Sequence, residues 1–148
     1  MQVNPAEWLA KATAYAQEHR LEDGSVRAVP GEPIPIAAMQ YAWVPNVLRM
    51  HTGEEYHLQL ASIDVIHGFS LQMGGNSLNA SVMPGMMSMV ELVPTQPGEY
   101  LINCNEYCGI GHQFMAARFI VEGEPISRGE LEEGGEHEEE MPMEGMSN

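Results

Sequence analysis

The chain has 148 residues, 44% of them apolar, which is enough for one domain with a real core. Its net charge of −15 excludes a nucleic-acid binder, because nothing here could neutralise a run of phosphates, while leaving a basic protein partner open. There is no run of about 18 apolar residues to cross a membrane, and Met1–Leu9 lacks the basic cluster and apolar stretch of a secretory signal.

The first predicted element is a helix over Pro5 to Arg20. Asn4 is its expected N-cap, and Pro5 fills the first helical position, where a missing N–H does no harm. Trp8, Leu9, Ala12, Tyr15 and Ala16 fall on one face at helical spacing. Gly24, Pro30, Gly31, Pro33 and Pro35 then punctuate a linker. Residues 1–33 are therefore expected to form a helix and linker.

From Ile34 the period changes. Strands are predicted near 34–42, 47–50, 55–61, 67–73, 77–82, 86–93, 98–104 and 116–122. Tyr56, Leu58 and Leu60 alternate with His57, Gln59 and Ala61, the pattern of a strand with one buried face. Pro84-Gly85 and Pro97-Gly98 are turn signals between runs. Many short strands with such turns make the fold class all-β, a sandwich or small Greek-key barrel. Met83, Met86, Met87 and Met89 are expected to fill the core or cover a site, methionine being apolar and adaptable. Trp43 and Tyr41 are expected to plug the barrel, with lining a docking patch as the alternative.

Residues 124–148 turn to Gly, Glu, Pro and Met. The last 27 residues carry ten acids and one base, −9 of the total −15. Such a stretch is expected to be disordered. His137 and its methionines read as part of a solvated tail.

Both cysteines lie in one stretch, Cys104-Asn-Glu-Tyr-Cys108-Gly-Ile-Gly-His112-Gln-Phe-Met115. Two thiols, an imidazole and a thioether are soft donors that select copper or zinc over hard cations. Three other readings compete. Positions 104, 108, 112 and 115 would share one face of a helix, although Gly109 and Gly111 oppose one. Cys104 and Cys108 could close a small disulfide loop, which leaves His112 and Met115 unexplained. A structural zinc site would make little use of methionine. His67, in Asp64-Val-Ile-His67-Gly-Phe69, offers a second imidazole upstream, with Asp64 a candidate to orient it. A mononuclear blue copper site needs only one cysteine. Two thiolates can instead bridge two metal ions, each capped by its own imidazole.

These motifs resemble the CuA loop and upstream histidine segment of cytochrome c oxidase subunit II. Tyr41-Ala-Trp43-Val-Pro45-Asn46 resembles the aromatic motif that precedes them in that family. The wording of the cysteine loop is most similar to B-type oxidases, and the resemblance runs from about Ala37 to Glu122. It implies a cupredoxin-like domain over residues 34–123 that holds dinuclear copper. Cys104 and Cys108 would bridge both ions. His67 and His112 would bind one each, with Met115 and the Glu106 carbonyl as weak ligands. A carboxylate at the Glu106 position binds magnesium in A-type relatives, whereas B-type relatives often carry Gln there, so magnesium at Glu106 stays open. The implied function is electron transfer from cytochrome c or a cupredoxin to haem-copper subunit I. It would take place on the outer face of the cytoplasmic membrane, with catalysis left to the partner subunit. A membrane anchor is expected to have been lost from this sequence or to come from another subunit. A mononuclear cupredoxin, a copper-delivery module or the CuA domain of another reductase are the alternatives.

Overall fold

The computed structural model describes residues 1–73 and 76–127. The expected disorder of the acidic tail, including His137, falls beyond residue 127 and so outside the described residues.

Helix α1 spans Pro5–Glu18. The Asn4 side chain accepts the Glu7 N–H at 3.0 Å, satisfying one of the donors a helix start leaves open. Trp8, Ala12 and Ala16 are its buried face. The Trp8 indole N–H donates to the Ile36 carbonyl at 2.9 Å, so the helix is pinned to the sheet as well as packed on it.

Ten strands follow: β1 (Val26–Arg27), β2 (Pro33–Met39), β3 (Ala42–Val44), β4 (Val47–His51), β5 (Tyr56–Ser62), β6 (His67–Met73), β7 (Asn76–Val82), β8 (Ser88–Leu92), β9 (Gly98–Cys104) and β10 (Ala116–Glu122). They form two sheets. One has six strands in the order β1-β4-β10-β9-β6-β7, the other four in the order β3-β2-β5-β8. The sandwich expected from the short alternating runs is what forms. Sequence periodicity missed two details. The run 34–42 breaks at Gln40-Tyr41 into two antiparallel strands, β2 and β3. The short β1 extends the six-stranded sheet by pairing with β4 inside the expected linker.

The core lies between the sheets. Alternation places Phe69 and Leu71 of β6, Ile102 and Cys104 of β9, and Ala117, Phe119 and Val121 of β10 inward. Each fully buried large apolar side chain contributes about 1.5–3 kcal/mol relative to exposure. β5 departs from strict alternation at one point. Ala61 is buried as well as Leu60, because α1 covers the outer face there with Trp8 and Ala12.

The expectation that the methionines fill the core is corrected. Met83, Met86 and Met89 are exposed. The first two flank the Pro84-Gly85 turn, and Met89 points outward because its neighbours Val90 and Leu92 fill the inner face. Met87 alone packs inward, against the cluster under α1.

Candidate metal centre

The site follows from strand register. β6 and β9 run antiparallel with Phe69 opposite Cys104. His67 has the same inward parity as Phe69, so the pairing carries it to the end of the core beside Cys104. β9 also pairs with β10, Asn103 opposite Ala116, which closes residues 105–115 into a loop and returns Met115 to the same end. The Cys104 N–H meets the Met115 carbonyl at 3.4 Å, at the neck of that loop.

The loop is not an α-helix. After Cys104 it wanders over the surface and makes one 3-10 turn, His112–Phe114, so the helical-stripe reading fails. Gly109 has φ 137°, a backbone that side chains rarely adopt. Gly111 is required for a different reason. A Cβ on either glycine would collide with the Tyr41 side chain, which lies across the loop. Gly68 plays the same part on the other side, where a Cβ would meet the Asn105 side chain and the Glu106 amide.

The donor atoms converge. The Cys104 and Cys108 sulfurs are 3.6 Å apart, and both cysteines are free and buried. His67 Nδ1 lies 3.9 Å from the Cys104 sulfur, and His112 Nδ1 lies 3.5 Å from the Cys108 sulfur. The Met115 sulfur is 3.8 Å from Cys108, and the Glu106 carbonyl oxygen is 3.1 Å from Cys104. His67 is fully buried and Met115 nearly so. The Glu106 carboxylate belongs to an exposed residue, so only its carbonyl joins the group. All six predicted site residues are thus brought together around two adjacent sulfurs.

Asp64 orients His67. Its carboxylate lies 2.9 Å from His67 Nε2 and so accepts that proton, which turns Nδ1 toward the sulfurs. The same carboxylate accepts the backbone N–H of Val65 at 2.6 Å and of Gln40 at 2.8 Å. Burial pushes the Asp64 carboxyl up, but the hydrogen bonds from His67, Gln40 and Val65 outweigh it and hold the group below its ordinary value. The Cys108 thiol is pushed up to about 11, chiefly by burial and then by Cys104 beside it. Two thiolates packed this closely repel each other, and a cation reverses that cost. The strong donors are two thiols and two imidazoles, one of each for each of two ions, with a thioether and one backbone carbonyl beside them, so the residues fit a copper pair.

Several large apolar side chains of the ligand loop reach the surface, among the exposed polar residues Asn105, Glu106 and Gln113. Tyr107, Ile110 and Phe114 are each more than 70% exposed, and Val65 and Ile66, just before His67, are exposed as well. Trp43, by contrast, is buried, with its ring edge-on to Phe69 at 6.0 Å. A second group, Glu55, His57 and Glu91, lies at the far end of β5 and is open to solvent. There Glu91 faces one nitrogen of the His57 ring and Glu55 the other, the pattern of a surface ion pair. Sequence reasoning passed over Gln40 and Gly68. Gln40 belongs to no recognisable motif and only the fold brings it to the ligands, whereas Gly68 sits in the His67 segment but shows its role only once the Asn105 side chain packs against it.

Comparison with known proteins gives a consistent picture. Residues 8–122 match the family described as "Cytochrome C oxidase subunit II, periplasmic domain". A cytochrome c oxidase subunit 2 of Thermus thermophilus is 40% identical over 86 residues, 58% of this chain, and the chain spans 62% of that relative's length. Among solved structures, a heme-copper terminal oxidase dimer aligns with TM-score 0.55 and 25% identity, over 70% of this chain and 69% of that one. The periplasmic domain of subunit II of cytochrome oxidase (CoxB) of Bradyrhizobium japonicum aligns with TM-score 0.55 and 17% identity, over 72% of this chain and 91% of that one, and shows the shared fold.

Proposed function

Because this chain belongs to the family of cytochrome c oxidase subunit II periplasmic domains, we propose that it holds a dinuclear copper centre of the CuA type and relays electrons to a haem-copper subunit I. The observation that carries this reading is the pair of sulfurs 3.6 Å apart, with a different imidazole beside each. Cys104 and Cys108 would bridge the ions, His67 and His112 would cap one each, and Met115 and the Glu106 carbonyl would be weak ligands. When bound, a copper pair would supply a one-electron carrier.

The chain's own residues do the rest. β6 and β9 fix His67 and Cys104 before any metal arrives, so little rearrangement is needed on binding. Asp64 holds the His67 tautomer. Phe69, Met115 and the packed strand ends keep water from the buried side. The exposed Tyr107, Ile110 and Phe114 offer apolar contacts on which a cytochrome c or cupredoxin donor could approach the ligands, with the Glu106 carboxylate at their edge. Among the described residues no helix is long and apolar enough to cross a membrane. In this reading the domain works outside the cytoplasmic membrane, tethered by a segment or subunit beyond the described residues. Oxygen chemistry belongs to that larger complex.

The test is copper reconstitution with metal counting and EPR. Two coppers per chain, with one unpaired electron shared over both, are expected. One copper and a blue chromophore would replace this reading with the mononuclear cupredoxin.

A further inference from the structure

The turn between β2 and β3 reaches both halves of the ligand set at once. Gln40 stands at its head. Its backbone N–H donates to Asp64 Oδ2 at 2.8 Å, while Asp64 Oδ1 takes the Nε2 proton of His67 at 2.9 Å. Its side-chain Nε2 donates to the Cys108 carbonyl at 2.7 Å. One residue is therefore tied through a single intermediary to the upstream histidine, and directly to the second cysteine. These partners are far apart in the chain, Asp64 lying 24 positions from Gln40 and Cys108 lying 68. Tyr41 completes the contact by lying over Gly109 and Gly111.

The ligand loop has few other ties to the body of the fold. Its own hydrogen bonds close the turn from Gly109 to Met115, and the neck bond from Cys104 to Met115 is long. On the side of β6 it is held by the Asn105 N–H to the Gly68 carbonyl at 3.2 Å. Among the described residues, the Gln40 amide is the one side chain from outside the loop that hydrogen-bonds to the loop backbone between Glu106 and Gly111. A surface loop without such a grip has many conformations to lose on metal binding.

We propose that Gln40 is a positioning residue, a clasp that keeps the His67 segment and the cysteine loop in one register and thereby sets how tightly the copper pair is held and at what potential it works. This inference rests on the dinuclear copper reading. Removing the side-chain arm leaves the backbone arm to Asp64 in place, so the effect should be graded and should not destroy the site.

Gln40→Met keeps the length of the side chain and deletes the donor. Gln40→Glu puts an acceptor against the Cys108 carbonyl. Copper release to a chelator should be about fivefold faster in the first and tenfold or more in the second, the scale of one lost hydrogen bond and of a disturbed ligand support. The reduction potential and the EPR and charge-transfer spectra should shift in the same order. Metal-free Q40M should melt with the wild type, which separates positioning from folding. Tyr100→Phe is the control, since it deletes a hydrogen bond of 2.8 Å to the Gln96 carbonyl away from the site. Unchanged release, potential and spectra in both Gln40 variants would overturn the clasp, as would equal changes in Y100F. A wild-type protein that takes up one copper sinks the dinuclear reading separately, and leaves the release rates to judge the clasp.

Discussion

The two ends of the sandwich handle polar groups in opposite ways. At the end where β10 finishes, charge is answered by charge: Arg49 reaches Asp23 at 2.7 Å and Glu122 at 2.9 Å, and also donates to the Ser25 hydroxyl. At the end where β10 begins, Cys104, Cys108, His67 and Met115 are buried side by side with no cationic side chain among them. The same strands serve both ends, so the difference lies in residue chemistry and not in topology. The charged end is self-sufficient. At the sulfur end burial raises the cost of a thiolate, which pushes Cys108 up to about 11. A positive ion shared between the sulfurs would lower that cost most at this end of the molecule.

The largest test removes the shared sulfur. Cys108→Ser should abolish the dinuclear spectrum and leave at most one copper per chain, because a hydroxyl does not bridge two soft ions. Retention of two coppers in metal analysis would break the contrast between the ends. The next test strikes the floor between them. Phe69 is buried opposite Cys104, edge-on to Trp43 and near Phe119. Phe69→Ala should cost about 3–5 kcal/mol in urea unfolding of the metal-free protein. A loss under about 1 kcal/mol would mean that the core does not support the site in the way the register implies.

Much of this was legible before any fold was known, for physical reasons. The strands were visible because Tyr56-Leu58-Leu60 and similar runs keep a period of two. The cysteine loop was visible because soft donors are rare and their spacing is constrained. What stayed hidden was whatever depends on long-range register. His67 could be picked out, but its approach to Cys104 rests on β6 pairing with β9. Gln40 carries no signal of its own, since its role exists only once the β2–β3 turn folds over the loop. The exposed methionines went the other way. Their apolar character suggested the core, but Val90 and Leu92 already fill the inner face of β8 and the Pro84-Gly85 turn faces solvent.

A smaller effect is expected at Asp64, where the sulfur end borrows the habit of the charged end and answers a histidine with a carboxylate. Asp64→Ala frees the His67 ring to rotate and removes the acceptor that selects its tautomer. Copper affinity should fall by about ten- to a hundredfold, with a shifted reduction potential and little change in the number of coppers bound. A competition titration against a chelator measures the first, and an unchanged affinity would show that strand pairing alone holds the imidazole.

The smallest effect belongs to the charged end and is a matter of pH. Asp23 is held well below the ordinary carboxyl range, first by the Ser25 hydroxyl and N–H and then by Arg49. A carboxylate depressed in the folded state stabilises the fold above its unfolded value of about 3.9, and that contribution drains away as the pH falls toward the folded value. The pair is exposed, so screening keeps the size modest. Asp23→Asn should therefore lower the urea midpoint of the metal-free protein slightly at neutral pH and flatten the fall in stability below about pH 4. The same change should leave copper release untouched, because among the described residues the two ends share strands but no polar contact. Equal acid slopes in variant and wild type would show that the Arg49 cluster is ornamental. A changed release rate would show that the ends communicate through β10.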